Sequence, residues 1–266
     1  MRHLLLLPFA LAVLGCLSSE AQLEGGHAHE SSGHDDGHKS AILMVQTEPA
    51  TPSTGVPVAL KLMIHDSAGT MVSNFDTLHE KRVHLILVRE GLDEFAHVHP
   101  VVDEQGNLTV THEFAKAGKY HLFADYKPTG KAASVARAEM VVSGEPSPPP
   151  GLTVNVPGQV IAEGFQVEVE LQNEKAGEEA EIRFRLSDET GQPIDDLQPY
   201  LGARGHLVVL SADGKQYVHA HPLSKHTADN EVIFRSHFPG TGLYKGWAQF
   251  QQKDKVRTIP FVLQVP

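Results

Sequence analysis

Apolar positions along the chain come in short runs, not at helical spacing. Val58-Ala59-Leu60-Lys61-Leu62-Met63-Ile64, Val83-His84-Leu85-Ile86-Leu87-Val88 and Tyr120-His121-Leu122-Phe123-Ala124-Asp125-Tyr126 are β-prone. So are Phe165-Gln166-Val167-Glu168-Val169-Glu170-Leu171, Ile182-Arg183-Phe184-Arg185-Leu186 and Phe261-Val262-Leu263-Gln264-Val265. Gly, Pro, Asp and Asn separate these runs at short intervals, as in strands joined by turns. No segment sustains a 3.6-residue apolar period with caps. The pattern predicts an all-β protein. Each half holds about a hundred residues of short strands, which suits an immunoglobulin-like β-sandwich.

The two halves repeat. Asp66-x-x-Gly69 falls on Asp188-x-x-Gly191, an offset of 122 (188 − 66). At the same offset Arg82-x-His84-Leu85 falls on Arg204-x-His206-Leu207, and Phe95-x-His97-x-His99-Pro100 on Tyr217-x-His219-x-His221-Pro222. After a short insertion Gly118-x-Tyr120 matches Gly242-x-Tyr244, and Tyr126 matches Phe250. Self-similarity on this scale points to a duplicated unit. Between the halves, Pro148-Pro149-Pro150 favours an extended, stiff connection. The expected organisation is two tandem sandwiches, residues 41–144 and 152–266, joined by a Pro-rich linker at 145–151.

The first forty residues read as an address and a tether. A positive Met1-Arg2-His3 precedes an apolar run, Leu4 to Gly15, that is too short to span a bilayer of about 30 Å as a helix. It reads as a secretory signal. Val13-Leu14-Gly15-Cys16 resembles a lipobox, which makes residues 1–15 a lipoprotein signal peptide and Cys16 the lipidated first residue. Leu14 departs from the small residue preferred there. The other reading is ordinary cleavage near Ser19-Glu20-Ala21, leaving a secreted protein. Residues 16–40 are rich in Ser, Gly, Glu, Asp and His and too polar to fold alone. His27, His29, His34 and His38 lie in this tether. They read either as weak metal collectors or as part of a hydrophilic spacer.

The 17 histidines then come into view. In the second repeat Asp213-Gly214 is a two-residue hairpin signal, since both residue types tolerate positive φ. That turn places His206 opposite His221, Val208 opposite His219 and Leu210 opposite Tyr217. Residues two apart in a strand share a face, so His206, His219 and His221 lie together. In the first repeat Gly91-Leu92 takes the turn, with Gly first as in type II′. His84 then opposes His99, with His97 diagonal. Three imidazoles so placed can reach one ion at about 2.0–2.1 Å per bond. The opposite face (Leu85, Leu87, Val98; Leu207, Val209, Val218) is apolar enough to be the sandwich core. The His face would then look outward, bordered by Ile86 and Phe95 or by Val208 and Tyr217. Three roles remain open for it: metal ligation; structural bonds to backbone carbonyls or an interface between the two sandwiches; and a ligand pocket of another kind. His79, His112, His121, His226 and His237 have no counterpart in the other repeat.

Composition narrows the chemistry. The charge of −11 and the lack of a basic patch argue against nucleic acid. The single cysteine excludes internal disulfides, multi-thiolate metal centres and, once lipidated, a blue-copper site. Met44, Met63, Met71 and Met140 are scattered, which disfavours Cu(I). All-imidazole ligation suits Cu(II) or Zn(II). No His-Glu-x-x-His helix, Gly-x-Ser-x-Gly elbow or phosphate loop is present, so the chain is read as a non-enzyme.

At the pattern His-Leu-aliphatic-aliphatic, then aromatic-x-His-x-His-Pro, then Gly-x-Tyr, the chain resembles bacterial secreted proteins with YtkA-like, immunoglobulin-like domains. The resemblance covers both halves. It implies an envelope location and a β-sandwich, and suggests heavy-metal or copper handling. Two domains in tandem depart from the usual single one. The expectation is an extracytoplasmic lipoprotein, on the periplasmic side or the outer surface, touching the membrane through its anchor alone. It would bind Cu(II) or Zn(II) through one three-His site per domain: His84, His97, His99 and His206, His219, His221. The alternative is a non-catalytic adhesion or assembly module with structural histidines, meeting an envelope protein partner. Imidazole must be neutral to bind metal, and at an ordinary pKa of about 6.5 affinity would fall sharply between about pH 7.5 and 5.5.

Overall fold

Two nearly matching successions of strands build the chain. The first runs β1 (Ile42–Glu48), β2 (Pro57–His65), β3 (Phe75–Asp76), β4 (Val83–Arg89), β5 (Phe95–Val98), β6 (Val101–Val102), β7 (Leu108–Glu113), β8 (Gly118–Pro128) and β9 (Ser134–Val142). The second runs β10 (Gly158–Ala162), β11 (Phe165–Gln172), β12 (Glu179–Asp188), β13 (His206–Ser211), β14 (Tyr217–Pro222), β15 (Glu231–His237), β16 (Gly242–Gln252) and β17 (Lys255–Val265). This computed structural model describes residues 41–223 and 228–266, with His219 and His221 described by their backbone alone. The described residues belong to one compact unit and contain no helix.

Each succession folds into a sandwich. In the first, the layer β5-β4-β8-β9 faces the layer β1-β2-β7-β6, with β3 beside β8. In the second, β14-β13-β16-β17 faces β10-β11-β12-β15. Strand β14 bridges the two layers by pairing with β15 at His221 and Arg235. Period-two patterning explains the cores. Val58, Leu60, Leu62 and Ile64 of β2 meet Leu85 and Leu87 of β4 and Leu122 of β8. Val167, Val169, Ile182, Phe184 and Leu186 meet Leu207, Val209 and Val218. The predicted inward faces are therefore the core faces. Tyr120 and Tyr244, matched in the repeat, bond the carbonyls of Lys116 (2.8 Å) and Gly240 (2.9 Å), four residues back. This tyrosine corner is a mark of immunoglobulin-like sandwiches.

The hairpins keep the predicted register but not the predicted turns. Leu85, Ile86, Leu87 and Val88 pair with Val98, His97, Ala96 and Phe95. Leu207, Val208, Val209 and Leu210 pair with Ala220, His219, Val218 and Tyr217. Both connections are four-residue loops, closed by Arg89 N to Glu94 O and by Ser211 N to Gln216 O. Gly91 and Leu92 both have positive φ, 92° and 61°, which excludes type II′. In the other loop Gly214 alone has positive φ. Asp213 accepts hydrogen bonds from Ser211 Oγ and Lys215 N.

A third apolar cluster joins the sandwiches face to face. It contains Ile86, Val88, Leu92 and Phe123 from the first and Val208, Leu210 and Trp247 from the second, with Phe95 and Tyr217 against it. Phe95 stacks on Trp247 at 4.7 Å and Phe123 lies 5.2 Å from Tyr217. In the repeat Phe95 corresponds to Tyr217 and Phe123 to Trp247, so the same contact is made twice with the roles exchanged. That is the signature of a two-fold, self-complementary pairing. The linker is fastened to the first sandwich: Arg89 Nη2 donates to Ser147 O, and Leu152 packs into the interface.

Candidate metal centre between the sandwiches

The histidines of the first repeat converge at this interface. His84 stands on β4 beside Asp125 of β8, and His97 stands on β5 beside Ile86. His99 follows directly after β5. One nitrogen from each of the three lies within 4.8 Å of the others. Ring centroids are 5.2 Å apart for His84–His97, 5.0 Å for His84–His99 and 4.8 Å for His97–His99. Metal–nitrogen bonds of about 2.0–2.1 Å at tetrahedral angles hold imidazole centroids about 5 Å apart, so the spacing is that of three ligands around one ion.

Hydrogen bonds at the outer nitrogens decide what the inner ones present. A carbonyl only accepts, so His84 Nε2 donates to Leu78 O at 2.9 Å and His84 Nδ1 is the basic nitrogen. His97 Nδ1 lies 2.7 Å from Gln249 Oε1 and donates to it, leaving Nε2 basic. The amide is aimed by its own Nε2, which donates to Thr258 Oγ1 at 3.2 Å. His84 Nδ1 and His97 Nε2 are 3.0 Å apart. Two lone pairs at that separation call for a shared proton or a metal ion between them. His99 Nε2 is buried without a hydrogen-bond partner. Imidazoles that donate outward while aiming their bases inward are the arrangement found around bound metals.

Electrostatics keep His97 and His99 neutral. Burial, with a partly opposing contribution from the Gln249 bond and further repulsion by neighbouring histidines, holds His97 down at about 3. Burial and then His84 and Lys81 hold His99 at about 4. Neutral imidazole is the form that binds metal.

His206 comes to the same place from the second sandwich. Its centroid is 6.2 Å from those of His84 and His97. It bonds Tyr200 O at 2.9 Å, six residues back, as His84 bonds Leu78. Burial and then His79 lower its pKa to about 4. His79, unmatched in the other repeat, joins the cluster 5.2 Å from His206. Strand β14 carries positions 219 and 221, whose side chains lie outside the described residues. Cys16, His27, His29, His34, His38 and His226 also lie outside them. His121 meets Glu139 at 3.1 Å and His112 packs on Phe114, both away from the cluster. Sequence reasoning missed Gln249. Its only signal was its place in the repeat, at the position of Asp125.

Fold and site define a tandem immunoglobulin-like β-sandwich protein whose two repeats close on a shared histidine cluster. The chain belongs to the family described as a domain of unknown function, DUF8832, which matches residues 21–143 and 159–266. No curated protein matches the chain significantly. Among solved structures it is similar to FdeC, an Escherichia coli adhesin, at 14% identity and a TM-score of 0.28, over 84% of this chain and 64% of that one. Yersinia pseudotuberculosis InvD gives 12% and 0.27, over 84% and 57%. Invasin, a bacterial integrin-binding protein, gives 8% and 0.25, over 84% and 39%. The chain thus spans less than two thirds of each of these structures.

Proposed function

We propose that the chain is a lipid-anchored protein of the bacterial envelope, held on the extracytoplasmic side, that binds Cu(II) or Zn(II). His84, His97 and His99 form one site, and His206, His219 and His221 are the corresponding set of the second repeat. The tether histidines His27, His29, His34 and His38 act as a collector. One observation carries the reading: His84 Nδ1 and His97 Nε2, each made basic by the bond at its other nitrogen, face one another at 3.0 Å. The all-imidazole donor set supports a borderline divalent ion. The signal sequence and Cys16 support the location, and the YtkA-like motif agrees with both.

The test is titration with Cu²⁺ and Zn²⁺ near pH 7.5, using the full chain with the four tether histidines replaced by serine. About two tight equivalents are expected, falling to about one in His99→Ala. A single equivalent in the parent, lost in that variant, would indicate one shared ion. Absence of tight uptake would remove the reading.

A second reading has an observation of its own. His84 and His206 make the same bond to a carbonyl six residues back, with no metal needed. In an assembly module these bonds would tie each turn to the interface. Retained folding with no metal uptake would favour it.

A further inference from the structure

The histidine cluster of the first sandwich is not held by that sandwich alone. We infer that Gln249, on β16 of the second sandwich, is a positioning residue for the site on the first, so that metal affinity depends on the two being paired; this rests on the metal reading above. His97 sits on β5, and nothing bonded to its Nδ1 comes from its own sandwich. Its tautomer is set from across the interface by an amide that Thr258 of β17 holds in place. With Nδ1 protonated, Nε2 is the donor to metal. Without that acceptor the ring is free to place its proton on Nε2, where it blocks coordination and satisfies His84 Nδ1 instead.

The choice of an amide has a chemical consequence. Gln249 occupies the position that Asp125 holds in the first repeat, beside His206 as Asp125 is beside His84. A carboxylate at 249 would accept the same Nδ1 proton more strongly and make Nε2 a stronger donor to metal. The amide accepts the proton without adding charge. The amide therefore selects the tautomer ready to bind. Outer partners of metal-bound histidines typically change affinity by about tenfold to hundredfold when removed.

Zn²⁺ affinity, measured by competition against a chromophoric chelator, tests this in the full chain with the tether histidines replaced. Gln249→Leu is expected to bind Zn²⁺ about tenfold to hundredfold more weakly. Gln249→Glu is expected to bind it several-fold more tightly than the parent, which loss of a merely structural contact would not produce. Parent-like affinity in Gln249→Leu overturns the inference. Should that variant fail to fold, Gln249→Glu decides alone: tighter binding supports the inference, and parent-like or weaker binding overturns it. Failure of the underlying reading looks different. It shows as no Zn²⁺ uptake by the parent, or as full uptake by His97→Ala.

Discussion

Acid acts on this protein through its buried imidazoles. His97, His99 and His206 are held at about 3, 4 and 4, below an unfolded value near 6.5. As pH falls below about 6.5 the unfolded chain takes up protons that the folded chain refuses, so stability falls with pH and the loss levels off below the folded values. The urea midpoint of the metal-free protein should therefore drop steadily between about pH 7 and 4.5, and less steeply in His206→Phe. A flat profile would show that these rings titrate normally. The same burial bears on the expected fall of metal affinity between about pH 7.5 and 5.5: with His97 and His99 lowered, the fall should be shallower than for ordinary imidazoles, and a Zn²⁺ titration at pH 5.5 measures it. The histidines were legible as candidates because His-x-His-Pro occurs twice. Their neutrality was not, because it comes from burial where the two sandwiches meet.

Strand β4 shows what the pattern carried and where it was under-read. Val83-His84-Leu85-Ile86-Leu87-Val88 is a continuous apolar run, and every residue of β4 is buried. Alternation assigned Leu85 and Leu87 to the core correctly and left Ile86 on an outward rim. An antiparallel strand with no polar face is covered on both sides. The uninterrupted run is therefore the sign of an interface. Register survived because it follows from alternation; turn type did not. Leu92, only 1% exposed, takes positive φ so that its side chain enters the interface. Trp247→Ala should cost about 3–5 kcal/mol if the interface packs like a core. A double-mutant cycle with Phe95→Ala should return a coupling of about 0.5–1.5 kcal/mol. Additive losses would mean that the stacked pair carries no energy of its own.

At the scale of the molecule the linker acts as a strap. A methyl group at Gly91 would lie 2.5 Å from Pro149 Cβ, at a φ of 92° that other residues resist. Gly91→Ala should destabilise the chain by more than about 1 kcal/mol, read as a lowered Tm; an unchanged Tm would mean the proline segment moves aside freely. The duplication was plain in the sequence, and with it the sandwich in each half. How the halves meet was not, since the repeat says which residues correspond, not which ones touch.

The exchanged contacts, Phe95 on Trp247 and Tyr217 on Phe123, have one more consequence. A face that pairs with its own repeat is the face by which two separate copies of one sandwich would form a homodimer. Placing both copies on one chain turns a second-order encounter into a first-order closure, with an effective concentration on the order of millimolar for a short linker. Pairing is thereby freed from dilution.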